Sequence, residues 1–204
     1  MKKLEDELVK KLAGKILFKY KNIYTNRKPS SSLKVGNYLN NKLGYIPILQ
    51  PEIDMILETH NKELFAIEVK LFRTEEINFK LPFYHGLGQT LALHRYGFDK
   101  VALFHFFLGN KFSRKINKYG AEIWAFIRND LRIPIDYSYL WVEDKKIDYN
   151  FHVMQYIGRQ TGTKLLRIDH PSFKINFRYE NPIKDEPIQR TVRECLELWL
   201  KNKL

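Results

Sequence analysis

Three runs of strand-forming residues in the first half of the chain constrain its fold most strongly. They are IDMILE at 53–58, ELFAIEVKLF at 63–72 and KVALFHFF at 100–107. The first two are separated only by a short turn segment in which Asn61 can adopt a left-handed conformation, so they are predicted to pair as an antiparallel hairpin. The third run is apolar at nearly every position, which is typical of a strand buried on both faces.

Segments with helical periodicity surround these runs. Residues 3–20 and 33–44 carry apolar side chains at three- and four-residue spacing, which predicts two helices before the first strand run. Residues 84–96 predict a third helix, which Gly97 ends, between the second and third strand runs. An antiparallel pair followed by a helical crossover to a buried strand predicts an α/β fold with a mixed central sheet flanked by helices.

The second half of the chain continues this alternation less clearly. A helix is predicted over 113–130 and a strand over 137–142. Residues 143–204 contain short β-like segments and a final helix, and we expect them to form an extension packed on the core of residues 1–142 within a single domain. The β-like segments are FHVMQYI, KLLRI and FKINFRY, and the final helix is QRTVRECLELWLKNKL.

Charge and cysteine content limit the partners and the compartment. The chain has 35 Lys and Arg against 23 Asp and Glu, a net charge of +12, which favours a polyanion or an anionic membrane surface as partner, although lysine-rich surfaces also occur on proteins without such ligands. No apolar run approaches the roughly 18 residues of a membrane-spanning helix. Cys195 is the single cysteine, and the N-terminus has no signal-peptide pattern, so we expect an intracellular, cytoplasmic setting, which includes a virus- or plasmid-encoded protein.

Charged residues interrupt the first two strand runs. Glu68 and Lys70 share one face of their strand because side chains alternate, and pairing of the two runs would bring Asp54 close to Glu68. Two carboxylates with a main-chain carbonyl, such as that of Val69, form an oxygen-rich site that suits Mg²⁺ or Mn²⁺. A lysine beside it can activate water or neutralise developing charge, as phosphodiester hydrolysis requires. The alternative is an exposed strand with an ion pair worth under about 1 kcal/mol.

The order of motifs resembles the PD-(D/E)XK nuclease superfamily over roughly residues 3–107: PEIDMIL, a short hairpin, IEVK, the glutamine-bearing helix GLGQTLALHRYGF and an apolar strand. The resemblance implies a restriction-endonuclease-like core in residues 1–142 and Mg²⁺-dependent hydrolysis of DNA, with Mn²⁺ able to substitute. By position, Asp54 and Glu68 correspond to the metal ligands and Lys70 to the catalytic lysine. Glu52 competes for the role of first acid, but Asp54 directly precedes the apolar run, as the pattern requires.

Further positions follow from the same resemblance. LEDELVKKL resembles the opening helix of archaeal Holliday-junction resolvases, which implies that Glu5 completes the metal site, with Glu7 as the fallback. Gln89 corresponds to a glutamine near the metal-bound water or the phosphate. Junction-cleaving relatives act in pairs, which implies a homodimer. Residues 21–50 and the C-terminal extension depart from those resolvases, so specificity for junctions or branched DNA does not follow directly.

Basic runs are candidates for contacts with the nucleic-acid backbone, although solubility explains them too. NRKPSSSLK at 26–34 and GNKFSRKINK at 109–118 combine the side chains that usually contact phosphates, and IGRQTGTK at 157–164 is similar. The predicted nucleic-acid-binding residues are Arg27, Lys28, Lys34, Lys111, Arg114 and Lys115.

Three other functions remain open at this stage. One is a non-catalytic nucleic-acid-binding protein with a nuclease-like fold. Another is an RNA-processing endonuclease, although such enzymes usually use a histidine without metal, and no histidine lies at the motif. The last is a basic structural or membrane-surface protein. No P-loop motif is present, so no nucleotide cofactor is expected.

Overall fold

The computed structural model describes residues 1–76, 84–145, 149–156, 163–170, 175 and 177–204. Within these residues the strands form one seven-stranded sheet in which they lie side by side in chain order. The strands are β1 (Asn22–Arg27), β2 (Ile53–Glu58), β3 (Leu64–Arg73), β4 (Lys100–Gly109), β5 (Asp136–Asp144), β6 (Tyr149–Tyr156) and β7 (Thr163–Arg167).

The pairing of the strands is mixed. β2 runs antiparallel to its neighbours β1 and β3, β4 runs parallel to β3 and β5, and β6 runs antiparallel to β5 and β7. The predicted α/β fold with a mixed central sheet is therefore confirmed, as is the antiparallel pairing of the first two strand runs. The predicted boundary after residue 142 falls inside β5, whose partner β6 continues the same sheet.

Helices cover both faces of this sheet. They are α1 (Lys2–Ile16), α2 (Leu33–Leu43), α3 (Leu87–Leu93), α4 (Arg114–Ala125) and α5 (Pro187–Leu200). Short 3₁₀ turns lie at Leu17–Lys19, Pro29–Ser31, Thr74–Glu76 and His94–Tyr96, and α4 continues as a π-helix over Phe126–Leu131. None of the helices in the described residues is both long and apolar enough to cross a membrane.

Two apolar layers sandwich the sheet. In one layer α1 packs against Ile67 and Val69 of β3, and in the other α2 and α5 pack on the side that carries Leu64 and Ala66. Alternate residues of β3 thus point to opposite layers. The prediction that Glu68 and Lys70 lie on one face of this strand is confirmed by this alternation.

The antiparallel strands β2 and β3 differ in length, and this difference creates the site. Pairing between β2 and β3 runs from Glu58 opposite Leu64 to Met55 opposite Ile67. β2 begins at Ile53, whereas β3 continues to Arg73. The edge of β3 that faces β2 therefore extends past the end of its neighbour, and its backbone amides there need other acceptors.

Several sequence predictions need correction. β1 was not predicted, because its residues NIYTNR show little apolar alternation and are only half-buried. In the hairpin the left-handed residue is Lys62, with φ of 68°, and not Asn61. The predicted helices over 84–96 and 113–130 are shorter as α-helices, since α3 begins only after the left-handed Gly86 and α4 changes to a π-helix at Phe126.

The strand predicted from FKINFRY at 173–179 is only partly described. Residues 175 and 177–179 do not form a strand. The Asp136 carboxylate accepts hydrogen bonds from the backbone amides of Arg178 and Tyr179, so side-chain contacts replace a strand ladder there. The basic segment predicted at 157–164 lies mostly outside the described residues, which omit 157–162.

Candidate active site

Two carboxylates bind the open edge of β3 where β2 ends. Asp54 Oδ2 accepts a hydrogen bond of 2.7 Å from the amide of Val69, and Glu5 Oε2 accepts one of 3.0 Å from the amide of Leu71. Both acids are buried, with exposed fractions of 2% for Asp54 and 8% for Glu5. The structure therefore brings the predicted acids of α1 and β2 together, and each has a structural function through one oxygen.

The same geometry bears on the predicted main-chain ligand. The amide and carbonyl of one residue in an antiparallel strand point to the same edge. Because the Val69 amide donates to Asp54, the Val69 carbonyl also points toward the edge on which Asp54 lies. This orientation agrees with the placement expected for a carbonyl ligand beside the acids.

Glu68 and Lys70 form a buried ion pair next to these acids. Lys70 Nζ lies 2.6 Å from Glu68 Oε1, and the exposed fractions are 2% for Glu68 and 8% for Lys70. Burial raises the pKa of Glu68 to about 7, and the negative charge of Asp54 adds to this effect, while Lys70 opposes it. One step beyond the Met55–Ile67 pair, the antiparallel register places Asp54 opposite Glu68.

The second oxygen of Glu68 distinguishes this acid from an ordinary buried carboxylate. Glu68 Oε2 is buried and accepts no hydrogen bond from any residue that the structure describes. A buried oxygen without a donor carries a desolvation cost of about 1–3 kcal/mol, so such groups are rare unless they serve a function or a ligand. The oxygen lies on the charged face, beside Asp54 and Lys70.

Glu58, at the opposite end of β2, provides a comparison. It is as buried as Glu68, at 3% exposed, but Lys21, Asn22 and Tyr24 all donate to its oxygens at 2.8–3.2 Å. Burial tends to raise the pKa of Glu58, yet these hydrogen bonds outweigh it and lower the pKa. Glu58 is thus a saturated structural acid, whereas Glu68 has an oxygen available for a ligand.

Lys2 places a positive charge among the acids. Its Nζ lies 2.9 Å from Asp54 Oδ1 and 3.3 Å from Glu5 Oε1. Asp6 and Glu52 are also within 3.4 Å and 3.8 Å of this ammonium. Burial tends to lower the pKa of Lys2, but the bond to Asp54 and the surrounding carboxylates raise it overall. The ammonium therefore bridges the two acids at the oxygens that do not bind β3.

The donor chemistry of the site fits a hard divalent cation. Its ligands would be carboxylate oxygens and a carbonyl, which Mg²⁺ and Mn²⁺ prefer, and Glu68 Oε2 has no hydrogen-bond donor. In the arrangement seen across the described residues, however, no three acidic, histidine or cysteine side chains are grouped as a ready metal centre. Lys2 lies between Asp54 Oδ1 and Glu5 Oε1 and contacts both. The metal role of Glu5, Asp54 and Glu68 therefore remains a prediction.

Gln89 lies apart from this network. It is exposed on α3, and within the described residues it forms no hydrogen bond to the acids or to Lys70. Glu7, the fallback for Glu5, is exposed on α1. The structure thus brings Glu5, and not Glu7, to the site and places Gln89 at the surface.

The predicted nucleic-acid-binding residues fall into two groups around the sheet. Lys28 lies at the rim of the site, with Nζ 3.7 Å from Glu52, which in turn contacts Lys2. Arg27 is exposed and lies over the Tyr24 ring, whereas Lys34 donates to the Leu204 carbonyl oxygen. Lys111, Arg114 and Lys115 are exposed where β4 leads into α4.

Lys2 was missed by sequence reasoning. It precedes Glu5 by three positions, as an ordinary lysine at the start of a helix would. Its contact with Asp54 spans 52 positions and depends on how α1 docks on the sheet. The surplus of acids near the start of α1, at Glu5 and Asp6, was the local signal for a nearby cation.

Comparison with known proteins gives a limited result. No protein-family model and no curated protein sequence matches the chain. Among solved structures, the chain is similar to SfsA of Pyrococcus furiosus in complex with Ca²⁺, at 11% sequence identity and a TM-score of 0.36. The similarity covers 79% of this chain and 63% of that one, so the chain spans less than two thirds of SfsA.

Proposed function

We propose that the chain is a metal-dependent nuclease that hydrolyses phosphodiester bonds in DNA. One observation carries this proposal: the buried Glu68 contacts the ammonium of Lys70, lies within the electrostatic influence of Asp54, and has an oxygen with no donor among the described residues. An ion pair built for stability would satisfy both carboxylate oxygens, as Glu58 does. The unsatisfied oxygen instead suits a cation that arrives with, or before, the substrate.

In this proposal each residue has a defined role. Asp54, Glu68 and Glu5 would hold Mg²⁺ or Mn²⁺, which when bound acidifies a water and screens phosphate charge. Lys70 would orient the attacking water, or stabilise the negative charge that develops on the phosphate oxygens. Glu68 directs Lys70 toward the site through their contact of 2.6 Å. Gln89, at the surface of α3, would contact the phosphate of a bound strand.

DNA is the proposed substrate because of charge and its distribution. The net charge is +12, and the exposed Lys28 lies at the rim of the acidic site. The exposed basic residues at the start of α4 lie beyond the carboxyl end of β4, the neighbour of the strand that carries Lys70. A DNA backbone bound along these basic residues would bring a phosphate toward the acids.

A direct test is cleavage of linear duplex, single-stranded and four-way-junction DNA, each with Mg²⁺, Mn²⁺ or EDTA. We expect cleavage with either metal and none with EDTA, and the preferred substrate would show whether junctions are recognised. An RNA of the same sequence separates a deoxyribonuclease from an RNA-processing enzyme. Binding that is tight and salt-sensitive, with no cleavage of any substrate, would instead support a non-catalytic nucleic-acid-binding protein.

Lys2→Met is expected to strengthen Mg²⁺ binding by about fivefold. The Lys2 ammonium bridges Asp54 and Glu5, so an incoming cation must displace it, and a half-exposed ion pair of this kind is worth up to about 1 kcal/mol. Isothermal titration calorimetry measures the affinity without any need for cleavage. Lys3→Met is the matched control, because Lys3 is an exposed neighbour on the same helix. Equal affinities in the two variants would contradict the prediction.

We also propose that the nuclease acts as a homodimer, because cutting both strands of a duplex at one place needs two active sites. Sedimentation of the protein with and without bound DNA tests this. The expected species is a dimer on DNA, and a monomer at concentrations that support double-strand cleavage would refute it.

A further inference from the structure

Gly86 lies in the segment just before α3 and packs closely against the side-chain stem of Lys70. Gly86 has φ of 87°, a left-handed conformation that favours glycine. A β-carbon placed on Gly86 would lie 2.8 Å from Lys70 Cγ and 3.2 Å from Lys70 Cε. It would also lie 2.8 Å from Leu103 Cδ1 on β4. A side chain at position 86 would therefore collide with the Lys70 stem, whereas glycine leaves room for it.

A buried histidine on β4 holds this segment to the sheet. His105 lies directly opposite Lys70 in the parallel register of β3 and β4, and it is fully buried. Its Nε2 is 3.1 Å from the carbonyl oxygen of His85, the residue before Gly86. Its Nδ1 is 3.1 Å from the Tyr137 hydroxyl. With Nε2 protonated, the ring donates to His85 and accepts from Tyr137, so the neutral histidine satisfies both contacts.

The other side of Gly86 is held by the helix that follows. The Gly86 carbonyl accepts from the Thr90 amide at 2.8 Å and from the Thr90 hydroxyl at 2.9 Å. Thr90 is fully buried. The peptide units before and after Gly86 are thus both tied to buried groups, which leaves the segment little freedom to retreat from Lys70.

We propose that Gly86 is a positioning residue for the nuclease reaction, and that His105 fixes it by holding the His85 carbonyl. Gly86 confines the Lys70 stem so that its ammonium stays at Glu68 Oε1, on the face where Asp54 lies. This role in catalysis rests on the proposed nuclease function, whereas the packing of Gly86 on Lys70 does not. Neither Gly86 nor His105 contacts the reacting groups in this account, because both act through Lys70.

The test compares Gly86→Ala with Gly88→Ala, the matched control two positions later, where a β-carbon meets no described atom within 4 Å. We expect Gly86→Ala to lower kcat by at least tenfold with KM for DNA and Mg²⁺ affinity nearly unchanged. Gly88→Ala should cleave as the wild type does. A folded Gly86→Ala protein with wild-type kcat would overturn the proposal.

A second measurement separates positioning from general loss of structure and needs no cleavage. The urea midpoint of Gly86→Ala should fall, and it should fall less when Lys70 is also changed to alanine, because Cγ and Cε are then absent. Equal falls in the two backgrounds would show that Gly86 does not act on Lys70, whether or not the wild type proves to be a nuclease. If wild-type protein fails to cleave but the coupling is present, the nuclease proposal fails while the packing of Lys70 stands.

The histidine anchor has its own pair of variants. His105→Phe removes the donor to His85 and should lower kcat, whereas His105→Gln retains an amide donor and should restore most of it. Similar kcat values in the two variants would overturn the anchoring role of His105. This comparison remains available if Gly86→Ala does not fold.

Discussion

Lys70→Met is expected to reduce DNA cleavage by about 10³-fold or more while the protein stays folded and binds DNA. Methionine keeps an unbranched stem that fits beside Gly86 but removes the ammonium that contacts Glu68 at 2.6 Å. A positioned acid–base group contributes about 10²–10⁴-fold to rate, and removal of one charge-stabilising donor costs about 10²–10³-fold. Single-turnover cleavage at saturating metal measures the effect directly.

Lys2→Met is the informative control for this experiment. Both lysines contact carboxylates of the site, but Lys2 is about half exposed and bridges Asp54 and Glu5, whereas Lys70 is buried against Glu68. Lys70→Met should therefore abolish DNA cleavage, whereas Lys2→Met should preserve it. Cleavage retained in Lys70→Met, or lost equally in both variants, would contradict the assigned role of Lys70.

The pH of the cleavage assay affects the result for Lys70→Met, because Lys70 stabilises the charged form of Glu68. Burial and the charge of Asp54 raise the pKa of Glu68 to about 7, and Lys70 opposes them. Without Lys70 the pKa of Glu68 rises further, so metal binding at neutral pH would also weaken. Measurements well above pH 7, with Mg²⁺ affinity determined beside the rate, separate the loss of the ammonium from the loss of the metal.

The strands that carry the site were predictable from local sequence because burial leaves a strong pattern. β2 and β3 show strand-forming residues interrupted by Asp54, Glu68 and Lys70, and the alternation of β3 assigns the last two to one face. β1 was missed because an edge strand needs no continuous apolar side chains, and its residues are half-buried. His105 lies in the apolar run of β4, and its two hydrogen bonds show that it is a satisfied core histidine.

The remainder of the site depends on tertiary geometry that no local pattern contains. The function of Asp54 and Glu5 as acceptors for the amides of Val69 and Leu71 follows from the different lengths of β2 and β3. The position of Lys2 depends on how α1 docks. The need for glycine at position 86 appears only when Lys70 and Leu103 are in place, since GLGQ by itself reads as an ordinary helix start.

His105→Gln is expected to make the protein relatively more stable in acid, by up to about 3 kcal/mol between pH 7 and pH 4. Burial lowers the pKa of His105 from 6.5 to about 4 in the folded protein. The neutral ring therefore contributes stability that is fully present above pH 6.5 and is lost as the pH falls through about 4. Glutamine cannot take up a proton in this range, so the variant does not share that loss.

Wild-type stability alone would conceal this effect, because Glu68 has the opposite sign. Its pKa is raised from 4.5 to about 7, so its contribution is complete below 4.5 and is lost as the pH rises through about 7. As the pH falls from 7 to 4, Glu68 therefore stabilises the folded protein, whereas His105 destabilises it. The difference between wild type and His105→Gln cancels the Glu68 contribution, since both proteins contain it.

Urea unfolding at a series of pH values, for wild type, His105→Gln and the control His60→Gln, measures this difference. His60 lies exposed in the turn between β2 and β3, far from the buried His105 in sequence and unlike it in burial. The wild-type and His60→Gln curves should stay parallel, while the gap between wild type and His105→Gln should change below pH 6.5. A constant gap would mean that His105 accepts a proton in the folded protein without cost, which its burial between His85 and Tyr137 argues against.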